Sequence, residues 1–190
     1  MKKAELRKKY LSERKALTKE SVSLLSEAVF TCFASEFSFR SGAKVHVFLS
    51  IPHLNEVDTS FFIRYFFEIG CRVFVPKMKG NQLLSVELTP KTPLESNSWG
   101  IVEPLTDEDS GETTYDCVIT PLLYCDSEGN RIGYGKGFYD RFFAALAPGV
   151  MKIGVGFFAP QEKISDVEAS DIPLDYLVIP DRILSFKGRL

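Results

Sequence analysis

Residues 45–75 read VHVFLSIPHLNEVDTSFFIRYFFEIGCRVFV, and this stretch decides the fold class. Two short apolar runs within it, Val45–Leu49 and Cys71–Val75, have the composition of buried strands. Thr59–Ile69 lies between them with helical spacing, and Gly70 is a residue typical of a helix C-terminal end. A strand–helix–strand unit places its two strands parallel to each other. The stretch therefore predicts an α/β protein.

The same alternation continues on both sides of this unit. We predict two N-terminal helices, Lys3–Ala16 and Lys19–Phe37, with Thr18 as the N-cap of the second. Pro76 is expected to stop the second strand, residues 77–82 to form a turn, and residues 159–164 to form a short turn or helix. Further strands are predicted at Leu83–Leu88, Val118–Thr120, Lys152–Phe157, Tyr176–Ile179 and Arg182–Ser185. We expect one domain spanning residues 1–190, with a mostly parallel open sheet flanked by helices and an N-terminal helical segment.

Composition narrows the class of protein. The hydrophobic content of 45% supports a sizeable core, and the net charge of −2 argues against a general nucleic-acid binder. No long apolar segment or secretory leader is visible, and no C-x-x-C pair occurs, which indicates a cytoplasmic protein with reduced thiols. His46 and His53 lack metal-ligand neighbours in the sequence, and His46 is expected to be a half-buried strand residue.

A glycine-rich stretch, GNRIGYGKGFYDR at residues 129–141, is the candidate ligand site. We expect its alternating glycines to let the backbone turn and to point N–H groups into one hollow before a helix over residues 138–146. Arg131 and Lys136 add positive charge, so the stretch suits a phosphate group. It is neither a Walker A loop, because Gly137 follows Lys136, nor a G-x-G-x-x-G loop. The alternative is a flexible surface turn.

The segments that follow predicted strand ends point to one shared site. They are residues 50–56 after the first strand, Pro76 and Lys77 after the second, and residues 121–137 after the fourth. In open α/β sheets, ligands bind beyond the carboxyl ends of the strands. We therefore expect these three segments to contribute to the same site.

On these residues the chain resembles the 5-formyltetrahydrofolate cyclo-ligase family. The match is strongest over residues 129–141, together with Pro121 and Asp126. It extends to weaker segments in the family's order: Lys3 and Arg7, Phe48–Ser50, Glu56–Thr59, Val75–Lys77 and Gly100–Pro104.

The resemblance implies an enzyme that uses ATP and Mg²⁺ to convert 5-formyltetrahydrofolate into 5,10-methenyltetrahydrofolate. It implies that Lys136, Arg131 and Tyr139 are catalytic. The implied ATP contacts are Lys3, Arg7, Arg131, Ile132, Gly133, Tyr134, Gly135, Lys136, Gly137, Phe138 and Tyr139. Asp140 and Asp171 are the implied metal ligands, and a carboxylate beside a triphosphate is the oxygen donor that Mg²⁺ prefers. The alternatives are a solvated helix face for Lys3 and Arg7, and a partner of Arg141 or the helix dipole for Asp140.

The resemblance also implies a folate pocket. Glu56 is its substrate-binding carboxylate, which accepts pterin N–H groups, and Leu49 lines the same pocket. Trp99 and Tyr124 are candidate stacking surfaces, with burial in the core as the alternative for each. Lys77 is a further candidate for the glutamate tail of the folate. A solvated loop acid is the alternative for Glu56.

Two other functions remain open at this point. One is a non-catalytic α/β module that binds a phosphorylated metabolite, for which Lys136, Asp140 and Glu56 together would be superfluous. The other is a sugar-phosphate isomerase, which needs a general base that we do not find. For the ligase, we expect only small-molecule partners, ATP and the folate, and no nucleic acid or membrane. We expect a monomer or a weak homodimer.

Overall fold

The computed structural model describes residues 1–97 and 100–188. Its helices are α1 (Lys3–Lys15), α2 (Lys19–Glu36), α3 (Ser60–Glu68) and α4 (Phe138–Ala144), and a 3-10 turn spans Pro52–Leu54. Its strands are β1 (Lys44–Val47), β2 (Arg72–Lys79), β3 (Gln82–Leu88), β4 (Leu94–Ser96), β5 (Val102–Pro104), β6 (Cys117–Pro121), β7 (Tyr124–Cys125), β8 (Arg131–Ile132), β9 (Met151–Val155), β10 (Tyr176–Ile179) and β11 (Arg182–Ser185). None of the helices in these residues is long and apolar enough to span a membrane.

A seven-stranded sheet organises the chain, in the order β11-β10-β9-β6-β1-β2-β3. The five strands from β10 to β2 pair in parallel, and the edge strands β11 and β3 pair antiparallel. The predicted α/β fold with a mostly parallel sheet is therefore confirmed. From β1 the chain passes to β2 on one side and later returns to β6 on the other. The crevice between β1 and β6 is consequently the point where ligands bind in such sheets.

Alternating residues of the central strands serve two faces of the sheet. Val45, Val47 and Ile119 belong to the core cluster that contains Phe33 of α2 and Phe62 of α3. Val118 and Phe74 belong to a second cluster that contains Phe143 of α4. The sheet is thus covered by helices on both faces, as parallel sheets require.

The expectation for His46 was wrong in degree, because its side chain is fully buried. Its ring packs against Tyr115 and Phe142 with centroid separations of 5.6 and 4.6 Å. Neither ring nitrogen has a hydrogen-bond partner among the described residues. Burial lowers the pKa of His46 to about 3, so the ring is neutral in the folded protein.

Pro76 does not stop the second strand, which was expected to end there. β2 continues to Lys79, and its turn into β3 consists of only Gly80 and Asn81. The parallel ladder from β1 reaches no further than Phe74. Pro76 therefore lies where β2 has one neighbouring strand instead of two, and a proline is tolerated in a strand with this edge character.

Two short hairpins were not predicted from the sequence. Residues 89–114 contain a short hairpin, β4–β5, and its buried Glu103 accepts a hydrogen bond from the Met78 N–H over 2.9 Å. Residues 159–164 form neither a helix nor a hydrogen-bonded turn, so the prediction of a short turn or helix there is wrong. The hairpin β7–β8 follows β6, and its second strand, β8, lies within the glycine-rich stretch.

Candidate functional site

A small cavity lies at the carboxyl ends of β1, β6 and β9. Its lining comes from the ends of these strands and the loops that follow, and includes Phe48, Glu56, Pro121, Leu122 and Gly156. The prediction that three segments share one site is confirmed here for the segments after the first and fourth strands, whereas Pro76 and Lys77 do not line this cavity. The contribution of the β9 end was not predicted. The cavity measures about 10 Å³, which is room for about one water molecule.

The glycine-rich stretch forms a loop from β8 to α4, which we call the glycine loop (residues 133–137). Gly135 and Gly137 have φ angles of +84° and +64°, a region that other residues rarely adopt. Gly133 lies outside that region, and a Cβ there would meet nothing within 4 Å. The expectation that all three alternate glycines serve backbone turning is therefore confirmed for two of them and wrong for Gly133.

Helix α1 lies against the glycine loop. The Arg7 Nε–H donates a hydrogen bond to the Gly133 carbonyl over 2.9 Å, and a Cβ at Gly135 would lie 3.2 Å from the Arg7 guanidinium carbon. The Lys3 N–H donates to Asp166 over 2.7 Å, which fixes the start of the helix. The structure thus brings Arg7, one of the two predicted cations of α1, onto the loop itself, so Arg7 is more than part of a solvated helix face.

Arg131 and Asp140 form an ion pair beneath the loop. Arg131 Nη2 lies 2.8 Å from Asp140 Oδ1, and its side chain is 7% exposed. The second guanidinium nitrogen, Nη1, donates to the Ile172 carbonyl, and the Ile172 N–H donates to Asp140 Oδ1 over 3.1 Å. Burial lowers the pKa of Arg131, and the nearby Asp140 opposes this shift. Arg131 is therefore held in place mainly by Asp140 and the backbone of Ile172.

Asp171 lies next to this pair and is bound by Lys3. Lys3 Nζ is 2.5 Å from Asp171 Oδ2, which also accepts the Glu168 N–H over 2.7 Å. In residues 1–97 and 100–188, no three His, Cys, Asp or Glu side chains form a metal cluster. Mg²⁺ is commonly held by one or two carboxylates together with substrate phosphates. Among the described residues, the contacts of Asp140 with Arg131 and Ile172 both use Oδ1, so its Oδ2 fits this kind of shared site.

Glu56 is buried, at 5% exposure, at the cavity wall. Its Oε2 accepts the Ile51 N–H over 2.8 Å, and its Oε1 accepts the Tyr134 hydroxyl over 2.7 Å. Burial raises the pKa of Glu56, and these hydrogen bonds and the charge of Arg14 oppose the shift. The alternative of a solvated loop acid is therefore excluded.

Two residues join the glycine loop to Glu56. Tyr134 of the loop donates its hydroxyl proton to Glu56 and accepts a hydrogen bond from Arg14 Nη2. Arg14, at 3% exposure, comes from the C-terminal turn of α1 and also lines the cavity. The predicted phosphate loop and the predicted folate carboxylate thus belong to one continuous site.

The remaining residues of the loop region differ in exposure. Lys136 is exposed, while its carbonyl accepts a hydrogen bond from Arg141 over 2.9 Å. Arg141 also donates to the Asn81 carbonyl in the β2–β3 turn, at 2.8 and 3.0 Å, and stacks over Phe138. The Tyr139 hydroxyl is buried without a hydrogen-bond partner among the described residues, and burial raises its pKa. Lys136 is therefore free to reach a ligand, while Arg141 holds the loop.

The other predicted ligand contacts have mixed outcomes. Leu49 is half-buried against the main core cluster, while its neighbour Phe48 lines the cavity. Trp99 lies outside the described residues. Tyr124 is fully buried and stacks on Tyr10 at a centroid separation of 4.2 Å, which supports the core alternative. Lys77 forms an ion pair with Asp107 at 2.8 Å.

Sequence reasoning missed Arg14 and Asn55. Arg14 carries a recognisable signal, because Leu6, Tyr10 and Arg14 follow at intervals of four and are the buried residues of α1. A charged residue on the buried face of a helix is a candidate functional residue. Asn55 has a φ of +51° and contacts the end of α1, but nothing in the sequence marks that partner.

The fold and the site define an α/β protein in which a cationic glycine loop adjoins a buried carboxylate at the sheet's switch point. Residues 1–180 match the 5-formyltetrahydrofolate cyclo-ligase family. A 5-formyltetrahydrofolate cyclo-ligase of Escherichia coli K12 is 30% identical over 176 residues, covering 90% of this chain and 96% of the relative. A probable 5-formyltetrahydrofolate cyclo-ligase of Schizosaccharomyces pombe is 28% identical over 157 residues, covering 74% of this chain and 76% of the relative.

A solved structure shows the same relationship. The NMR structure of Aquifex aeolicus 5,10-methenyltetrahydrofolate synthetase superimposes with a TM-score of 0.78 at 30% identity, covering 100% of this chain and 96% of that one. The protein belongs to the 5-formyltetrahydrofolate cyclo-ligase family.

Proposed function

We propose that this protein catalyses the ATP-dependent cyclisation of 5-formyltetrahydrofolate to 5,10-methenyltetrahydrofolate, with release of ADP and phosphate. The observation that carries the proposal is the hydrogen bond between Tyr134 of the glycine loop and Glu56, because it joins a phosphate-type loop to a carboxylate suited to a pterin. Membership of the family supports the same reaction. A metabolite sensor would need the loop but not the carboxylate.

The chemistry requires activation of an amide oxygen. The formyl oxygen of the substrate attacks the γ-phosphorus of ATP, and ADP leaves. The N10 amine then attacks the formyl carbon and loses its proton, and the phosphorylated oxygen departs as inorganic phosphate. Such a phosphoryl transfer depends mainly on positioning and on neutralisation of phosphate charge. The five-membered ring closes because both nitrogens belong to one substrate molecule.

The residues of the chain supply both needs. We propose that Lys3, Arg7 and Lys136 bind the phosphates together with the N–H groups of residues 132–139. The charge of the buried Arg131 then helps to neutralise the phosphates. Asp140, with Asp171 nearby, would hold Mg²⁺ together with the phosphates, and the ion would supply further neutralisation of phosphate charge. Tyr139 presents a buried hydroxyl without a hydrogen-bond partner among the described residues, suited to contact the reacting groups.

On the folate side, we propose that Glu56 accepts pterin N–H groups, with Leu49 and Trp99 as further contacts. A buried carboxylate gives stronger hydrogen bonds than a solvated one, because water does not compete for it. We propose small molecules as the only partners, and a cytoplasmic monomer or weak homodimer as the working form.

The test combines the protein with MgATP and 5-formyltetrahydrofolate. We expect the near-ultraviolet absorbance of the methenyl product to appear together with one ADP per product. A reaction without ATP and one without protein are the controls. Binding of both ligands without product would overturn the proposal in favour of a binding module.

A further inference from the structure

Arg14 and Glu56 are a cation and a carboxylate that lie close together, but in the described part of the chain they do not form an ion pair with each other. Both side chains are more than nine-tenths buried and both line the same cavity. The Tyr134 hydroxyl lies between them, accepting a hydrogen bond from Arg14 and donating one to Glu56. Arg14 thus offers a hydrogen-bond donor and Glu56 an acceptor, and one hydroxyl group lies between them.

Arg14 has capacity beyond its present contacts. Its Nη1 donates to the Leu122 carbonyl over 3.2 Å, whereas its Nε–H is buried without a hydrogen-bond partner among the described residues. A buried, unpaired donor on a cation is costly unless it serves a function. Since the residue lines the cavity, a ligand there would be the natural partner.

The order of donor and acceptor indicates which chemical groups of a ligand would fit between Arg14 and Glu56. A donor next to an acceptor complements a cyclic amide edge, in which a carbonyl oxygen adjoins an N–H group. The pterin ring of a folate has this edge at its 4-oxo group and N3–H. The formyl group on N5 does not, because its nitrogen carries no hydrogen.

We propose that Arg14 is a specificity-determining residue that donates to the pterin 4-oxo group while Glu56 accepts the adjacent N3–H; the proposal rests on the proposed function. The Tyr134 hydroxyl mimics both halves of that edge, and the substrate displaces it. The cavity lined by Arg14 and Glu56 has room for about one water molecule, so it must widen to admit the ring. Displacement of Tyr134 therefore also moves the glycine loop when folate binds.

The test compares 5-formyltetrahydrofolate with its 4-amino counterpart. The 4-amino compound carries a donor in place of the carbonyl and an unprotonated N3, so its polarity is reversed at both positions. We expect the wild-type protein to favour the 4-oxo compound in kcat/KM by about 100-fold or more, since a mismatched ligand leaves buried polar groups unpaired.

The variants are Arg14→Met, Arg14→Lys and Tyr134→Phe, each checked by thermal melting. In Arg14→Met we expect the preference to fall to within about tenfold while the ATP KM changes by less than about twofold, and Arg14→Lys to be intermediate. If Arg14→Met does not fold, the lysine variant and Tyr134→Phe carry the test. In Tyr134→Phe, calorimetry without nucleotide should show folate binding tightened about three- to tenfold, because no hydroxyl competes.

The outcomes separate the two proposals. A wild-type protein without turnover overturns both. Turnover with a 4-oxo preference that survives in the folded Arg14 variants overturns the role of Arg14 alone. Weaker or unchanged folate binding in Tyr134→Phe overturns the displacement of Tyr134. Equal losses for both compounds would show that Arg14 only supports the fold.

Discussion

The side-chain amide of Asn55 donates a hydrogen bond to the backbone carbonyl of Arg14 over 3.0 Å. A second hydrogen bond from the same amide reaches the Leu17 carbonyl over 2.9 Å. Asn55 thereby closes the C-terminal end of α1, where carbonyls lack partners within the helix. It also ties the loop that carries Glu56 to the helix that carries Arg14. The position of Glu56 relative to Arg14 therefore depends on a residue that contacts neither side chain's charged group.

Replacing Asn55 with alanine should destabilise the protein by about 2–4 kcal/mol. The change removes two hydrogen bonds, each worth about 1 kcal/mol, and places an alanine at a φ of +51°, which costs a further 1–2 kcal/mol. Asn55→Gly is the matched control, because glycine tolerates this φ and loses only the hydrogen bonds. Urea unfolding of both variants measures the difference. Equal stability of the alanine and glycine variants would contradict the predicted cost of placing alanine at this φ angle.

Replacing Lys136 with alanine should lower kcat/KM by about 100-fold, as loss of a charge-stabilising contact to the transferred phosphoryl group does. The exposed side chain packs against little, so the melting temperature should change by no more than about 2 °C. Lys91→Ala removes an exposed lysine outside the site and serves as the control. Full activity of the Lys136 variant would refute the assignment of the phosphate site.

Replacing Glu56 with glutamine should raise the KM for the folate by about tenfold and the ATP KM by less than about twofold. The amide retains the size and one acceptor oxygen but loses the charge that strengthens hydrogen bonds to pterin N–H groups. Steady-state kinetics with each substrate varied in turn provides the measurement, with Glu20→Gln on the surface of α2 as the control. The reverse pattern, with ATP binding affected more, would place Glu56 at the nucleotide.

His46 should make the folded state sensitive to acid. Its pKa falls from an ordinary 6.5 to about 3 on folding, so below pH 6.5 the unfolded chain binds a proton that the folded protein does not. Stability should decrease by about 1.4 kcal/mol per pH unit through this residue as the pH falls from about 6 towards 3. His46→Leu removes the titrating group. The difference in unfolding free energy between wild type and variant should therefore depend on pH over this range, and a constant difference would contradict the prediction.

The sequence predicted most of the sheet and the loop but not how they meet. The bounds of Tyr176–Ile179 and Arg182–Ser185 agree with β10 and β11, because turn residues punctuate these short apolar runs. The prediction that Pro76 ends β2 was wrong because the strand accepts a proline where β1 no longer pairs with it. Where that pairing ends depends on the tertiary structure, which the local sequence does not show. His46 was expected to be half-buried, because the residues that cover it, Tyr115 and Phe142, are distant in sequence.

The candidate site shows the same limit. The family resemblance implied roles for Arg131, Asp140 and Glu56, but it did not indicate that Arg131 and Asp140 pair with each other. From the sequence, Arg14 was not distinguished from the other charged residues of α1. Its burial follows from packing of α1 against the hairpin β7–β8, which local periodicity does not predict.

The most direct test of the proposed mechanism follows the formyl oxygen. 5-Formyltetrahydrofolate labelled with ¹⁸O in the formyl group is converted with MgATP in ordinary water, and the inorganic phosphate is analysed by mass spectrometry. Phosphorylation of the formyl oxygen predicts one ¹⁸O atom in each phosphate released. Unlabelled phosphate, with the label recovered in water, would contradict it.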